Sequence, residues 1–103
     1  MNYANHYSYS DITPYEVIKV VSDKTLEVRR MAYELLNKDD LIFHPGGFVA
    51  NCSNQRDQKY SYSSDAENEV IRIRLRKDGC FYDKYGQKFR LNDKPIRYYD
   101  FNF

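Results

Sequence analysis

The sequence predicts a mainly β protein: a small antiparallel barrel or strongly curved sheet, SH3-like in size, with at most one short helix. Three observations carry that prediction. Six or seven short runs rich in β-branched and aromatic residues follow one another closely, Gly, Pro, Asp and Asn punctuate them, and residues 70–76 (VIRIRLR) alternate apolar with cationic side chains throughout.

In chain order, the opening MNYANHYSYSD is polar enough that residues 1–8 are expected to form a flexible N-terminus, with one β-rich domain over 9–103. Residues 15–21 (YEVIKVV) form a β-branched run, Ser22, Asp23 and Lys24 are turn-like, and residues 25–30 (TLEVRR) alternate, which together reads as a hairpin. Residues 31–36 (MAYELL) are too short an apolar segment to separate helix from strand. Short strands are expected at 48–52 and 58–62, with the polar SNQRD between them. In residues 70–76, Ile71, Ile73 and Leu75 fall on one face and Arg72, Arg74 and Arg76 on the other, and Asp78-Gly79 offers a hairpin turn into residues 80–82. A turn at Tyr85-Gly86 leads to a strand at 88–91, and a closing strand is expected at 96–101. Ile71, Ile73, Leu75, Val17, Val28 and Phe89 are the predicted core.

A chain of 103 residues has room for one modest core. No apolar run approaches the ~18 residues a membrane helix needs, and no charged start precedes an apolar stretch, so a cytoplasmic protein is expected. Two cysteines 28 positions apart then read as reduced thiols. Net charge is +1, yet residues 1–68 carry 7 Lys/Arg against 10 Asp/Glu while residues 69–103 carry 9 against 5, so the C-terminal half is the one suited to an anionic partner. Eleven tyrosines, in a chain with no tryptophan, supply the large amphipathic area that interfaces use.

Residues 44–55 (HPGGFVANCSNQ) hold the one crowding of glycine, histidine and cysteine. Gly46-Gly47 lacks the Lys-Ser/Thr and following helix of a phosphate loop, and reads as a turn before a strand. Cys52, His44 and Asn51 are the residue types of a cysteine hydrolase, but not at its spacing. Cys52, Cys80, His6 and His44 total two thiols and two imidazoles without the close Cys pair of a zinc module, and the carboxylates show no catalytic pairing. No enzyme, cofactor or metal is therefore expected. Pro45, Gly46, Gly47, Asn54 and Gln55 are assigned to a structural loop. The arginine strand face is the better site: side chains two apart on a strand lie about 6.5–7 Å from one another, close to the phosphate repeat of a nucleic-acid strand and equally able to meet an acidic protein groove. It also reads as a solvated face paired with Glu27 or Glu69. Arg72, Arg74, Arg76, Lys88, Arg90 and Arg97, with Tyr82 and Tyr99, are the expected partner-binding set.

The order of YSDxxPxxVI from Tyr9, PGGF (45–48), NQ (54–55), QKY (58–60), IRIRLRKDG (71–79) and the ending YYDFNF resembles a family of small uncharacterised proteins encoded by phages and prophages, over nearly the whole chain. In that pattern Ala50-Asn51 stands where Gly-His is expected. The resemblance implies a compact β-rich fold, residence in the cytoplasm of an infected or lysogenic bacterium, and no reaction mechanism. By analogy of origin, it implies a non-enzymatic, anti-CRISPR-like inhibitor that binds a host protein or protein–nucleic-acid complex such as a defence nuclease. Direct nucleic-acid binding by a small barrel is the alternative.

Overall fold

A computed structural model of the protein describes residues 2–44 and 51–100. Its centre is a closed, six-stranded antiparallel barrel. The strands are β1 (Tyr3–Tyr7), β3 (Tyr15–Ser22), β4 (Thr25–Arg30), β9 (Val70–Leu75), β10 (Phe81–Tyr82) and β11 (Lys88–Asn92), and β2 (Ile12–Thr13) lies outside the ring against β1. Neighbours run β11, β10, β9, β4, β3, β1, and five β1–β11 pairs from Tyr3↔Asn92 to Tyr7↔Lys88 close the ring.

The core is the inward set of these strands: Ala4, Leu26, Val28, Ile73, Phe81 and Phe89 are buried together, and Tyr15, Val17, Ile71, Leu75 and Leu91 pack partly buried against them. The predicted core residues thus share one interior. Phe89 takes Tyr15 edge-on at 5.0 Å between ring centres and His6 at 5.1 Å, while His6 donates its Nδ1–H to the Lys88 carbonyl at 3.0 Å. The YEVIKVV run does not alternate because β3 carries two irregularities, between Val17 and Lys19 and between Val20 and Ser22. Each inserts a residue and resets the inward face, so Ile18, Val20 and Val21 end exposed on the outer part of the hairpin.

Where a flexible N-terminus is expected, the structure has a strand. Residues 3–7 complete the barrel, with Ala4 in the core and Asn5 fully buried. Asn5 Nδ2 donates to the Lys94 carbonyl at 3.1 Å and its Oδ1 accepts the Ile96 N–H at 3.0 Å. Local polarity hides the segment because its apolar content is one alanine and the inward edges of aromatic rings.

The closing strand expected at 96–101 is absent among the described residues. Tyr98 makes a single bridge to Ile12, with reciprocal N–H···O bonds of 2.9 and 3.0 Å, and the chain around it is held by side chains instead. The segment 31–36 contains a strand: β5 (Ala32–Leu35) pairs with β8 (Tyr60–Ser63). A second small pair joins β6 (Phe43–His44) to β7 (Asn51–Cys52). Of the strand expected at 48–52, residues 48–50 lie outside the described residues, as do Pro45, Gly46 and Gly47. Among the described residues the helical content is two single 3-10 turns, Lys38–Asp40 and Gln55–Asp57. Asn37 bridges them, donating to the Asp57 carbonyl at 2.5 Å and accepting the Lys59 N–H at 2.9 Å. Asn54 does the same from the other side, donating to the Asp40 carbonyl and accepting the Ile42 N–H, both at 2.7 Å. Asn54 is thus a loop-holding residue; Gln55 opens the second turn, its carbonyl accepting the Gln58 N–H at 3.4 Å. Among the described residues no helix is long and apolar enough to cross a membrane.

Candidate interaction face

The alternation of residues 70–76 does what its period requires. Ile73 is buried, Ile71 and Leu75 are half-buried, and Arg72, Arg74 and Arg76 all project outward and are exposed. Their surroundings differ. Arg72 pairs with Glu27, its cross-strand neighbour on β4, at 2.9 Å. Arg76 lies over the Tyr82 ring at 4.4 Å from its centre. Arg74 stands between Thr25 on β4 and Tyr82 on β10, with no ion pair among the described residues.

The register extends this face around the barrel. Arg74 is opposite Tyr82, Tyr82 opposite Lys88, and Lys88 opposite Tyr7, so cation and tyrosine alternate across β9, β10, β11 and β1. Arg90, one step along β11, lies over the Tyr7 ring at 5.4 Å. The Tyr82 hydroxyl donates to the Asp78 carboxylate, and that bond lowers the pKa of Asp78 and raises that of Tyr82.

A groove of about 590 Å³ runs beside β9. One wall is Arg72, Arg74 and Arg76; the other comes from Tyr82 and from Lys84 and Tyr85 in the turn after β10, and Glu69 and Asp83 also contribute. Asp83 is buried and fixes that turn, its Oδ1 accepting the N–H groups of Tyr85 and Gln87 at 2.9 Å each, while Gly86 adopts a φ of 81°. The turn therefore holds Tyr85, 77% exposed, beside the arginines as a preformed wall. This wall leaves no signal in the sequence, because Lys84 and Tyr85 carry no strand periodicity.

Arg97 and Tyr99 do not line the groove. The Arg97 guanidinium packs on Tyr33 at 4.5 Å and Tyr99 at 5.6 Å, and donates to the Ile12 carbonyl at 3.4 Å and to Thr13 Oγ1 at 3.3 Å. The main-chain N–H of Arg97 donates to the Tyr62 hydroxyl at 2.8 Å. Gln58 grips the Tyr99 main chain from both sides, donating to its carbonyl at 2.6 Å and accepting its N–H at 3.1 Å. These residues clasp the C-terminal segment between β2 and the β5–β8 pair. Burial raises the pKa values of Tyr60 and Tyr62 there, against the lowering effect of Arg97.

Cys52 is buried, its thiol 3.7 Å from Asn54 Oδ1, and neither it nor Cys80 is in a disulfide. Among the described residues no three His, Cys, Asp or Glu side chains converge as metal ligands. No family model matches the chain, and no solved structure matches it.

Proposed function

We propose that this protein is a non-catalytic binding module that docks a host macromolecule on the outer face of β9, and that its partner is a protein or protein–nucleic-acid complex of the host defence machinery, whose nuclease it inhibits. The observation that carries the binding reading is the preformed groove, in which three exposed arginines face a fixed turn bearing Lys84 and the exposed Tyr85. Arginine and tyrosine concentrated on one exposed surface are the composition of interface centres. The resemblance to small phage-encoded proteins supports the choice of a host target. The burial of Cys52 supports binding over cysteine chemistry.

The test is the double charge reversal Arg72→Glu with Arg74→Glu. Arg74 has no ion pair among the described residues, and the Arg72–Glu27 pair is half-exposed at the arginine, so stability changes by only about 1 kcal/mol. Binding to the host partner captured by the wild-type protein is expected to fall at least tenfold, about 1.4 kcal/mol. Capture that persists in the folded variant refutes the assignment of this face.

A second reading, direct nucleic-acid binding, is favoured by the alternating row of Arg74, Tyr82, Lys88 and Tyr7, which offers phosphate contacts with stacking surfaces between them. Salt separates the two: contacts to a duplex give a log–log slope near −0.9 per phosphate, and nuclease treatment abolishes capture, whereas a protein partner survives nuclease and shows the weaker salt response of an apolar-centred interface.

A further inference from the structure

The groove beside β9 is bounded by an unpaired stretch of strand. On its β4 side β9 is paired at five successive positions, from Arg29↔Val70 to Thr25↔Arg74. On its other side β10 supplies only two, Phe81↔Leu75 and Tyr82↔Arg74, because the chain turns away at Asp83, whose N–H bonds back to the Gln87 carbonyl at 3.2 Å. Residues 70–73 therefore have no strand on that edge among the described residues. The direction of their backbone groups follows from antiparallel alternation. Leu75 sends its N–H toward β4, to the Lys24 carbonyl at 2.8 Å, and Arg76 sends its own the other way, to Cys80 at 3.0 Å. Stepping back by two, Ile73 and Ile71 face β4, while Arg72 and Val70 turn their N–H and C=O groups toward the groove.

We infer that this groove takes an extended acidic peptide segment of the partner as an added β-strand along the edge of β9, a reading that rests on the binding face proposed above and specifies its occupant. Main-chain bonds to Val70 and Arg72 would give the register. In the antiparallel orientation the residue opposite Arg72 exchanges both bonds with it and points its side chain to the arginine side, and the flanking residues point toward the Ile71 and Ile73 side. An alternation of carboxylate and apolar side chains matches both faces of β9. Arg72, Arg74, Arg76 and Lys84 outnumber Glu69 and Asp83 around the groove, and the Asp83 carboxylate is occupied by two backbone N–H groups. Strand addition of this kind draws affinity from main-chain bonds and specificity from alternate side chains.

The probe is a short peptide alternating glutamate with valine, made in three forms: unmodified, N-methylated at the glutamates, and N-methylated at the valines. Fluorescence-anisotropy titration should show that the unmodified peptide binds, that glutamate N-methylation weakens it at least tenfold, and that valine N-methylation changes it less than threefold. Val70→Pro removes one groove-facing N–H at the first strand position without touching a β4 bond, and should weaken the same peptide at least fivefold while melting near wild type. Equal affinity for all three peptides, with loss in the Arg72→Glu, Arg74→Glu variant, overturns strand addition and leaves the arginine face standing. Absence of peptide binding overturns the peptide occupant. If a single-stranded oligonucleotide then binds and is lost in the double reversal, the face belongs to the nucleic-acid reading; if neither probe binds, the face itself loses its support.

Discussion

Replacing Asn5 with alanine tests whether the N-terminal strand holds the C-terminal segment onto the barrel. Asn5 has no solvent exposure, and its amide satisfies two main-chain groups of the 94–96 segment, the Lys94 carbonyl at 3.1 Å and the Ile96 N–H at 3.0 Å. Alanine removes two neutral hydrogen bonds, each worth about 1 kcal/mol net, and strands a donor and an acceptor where water has poor access, adding a further ~1 kcal/mol. The expected loss is about 3 kcal/mol, a large share of the ~5–15 kcal/mol available to such a domain. At a urea slope of about 1.5 kcal/mol per molar, the unfolding midpoint falls by about 2 M. Asn5→Asp sharpens the assay. The new carboxylate still accepts from Ile96 but repels the Lys94 carbonyl and is buried, so its folded pKa is raised above the unfolded value of about 3.9; stability is retained below that pH and lost as pH rises through the folded value. Asn5→Ala should show no such dependence. A midpoint for Asn5→Ala within about 0.3 M of wild type would show that this residue does not anchor the segment.

Alkali should destabilise the fold through its half-buried tyrosines. Burial raises the pKa values of Tyr15, Tyr60 and Tyr62, so their contribution is fully present below the unfolded tyrosine value near 10 and is lost as pH rises through the folded values. Urea midpoints should be level up to about pH 9.5 and then fall, with part of the tyrosinate absorbance appearing only as the protein unfolds; a midpoint unchanged to pH 11 would contradict this. Gly86→Ala meets no atom within 4 Å but forces an L residue to a φ of 81°, so a cost of about 1 kcal/mol is expected from backbone strain alone, and a neutral result in thermal melts would show that the turn relaxes.

What the sequence disclosed and what it hid divide along a physical line. The hairpin at 15–30, the cationic strand and the two glycine turns were legible because each is a local property: a period of two, or a positive φ that glycine permits, as at Gly79 and Gly86 with φ of 83° and 81°. Val28, Ile73 and Phe89 followed from that alternation and are fully buried. The strand at residues 3–7 and the clasp around residues 94–100 were not legible, because both are held by contacts spanning most of the chain. Asn5 reaches Lys94 and Ile96, Gln58 reaches Tyr99, and Asp11 accepts the Asp100 N–H at 2.9 Å. A polar side chain whose partner lies 41 to 91 residues away leaves no local pattern. The same reason explains why Arg97 reads as part of a basic surface although its guanidinium is spent on Tyr33, Tyr99, Ile12 and Thr13.

Barrel closure also decides where a partner strand has an opening. Pairing of β1 with β11 consumes two edges that an open sheet would expose. Among the described residues the unpaired stretches of barrel edge include residues 18–22 of β3, since β1 meets β3 at the single pair Tyr3↔Glu16, residues 90–92 of β11, which β10 meets only at Lys88 and Phe89, and residues 70–73 of β9. They are not equivalent. The β3 stretch is interrupted at two irregularities and carries an exposed lysine, Lys19, devices that blunt an edge against pairing. The β9 stretch keeps unbroken register with β4, so its outward N–H and C=O groups stay at the regular spacing an incoming strand requires. It is also the one flanked by the arginines and by a turn that Asp83 and Gly86 hold in place. Ordered backbone, cationic side chains and a fixed neighbouring turn coincide on β9, and that coincidence is what joins the arginine face to the open edge in the proposed site.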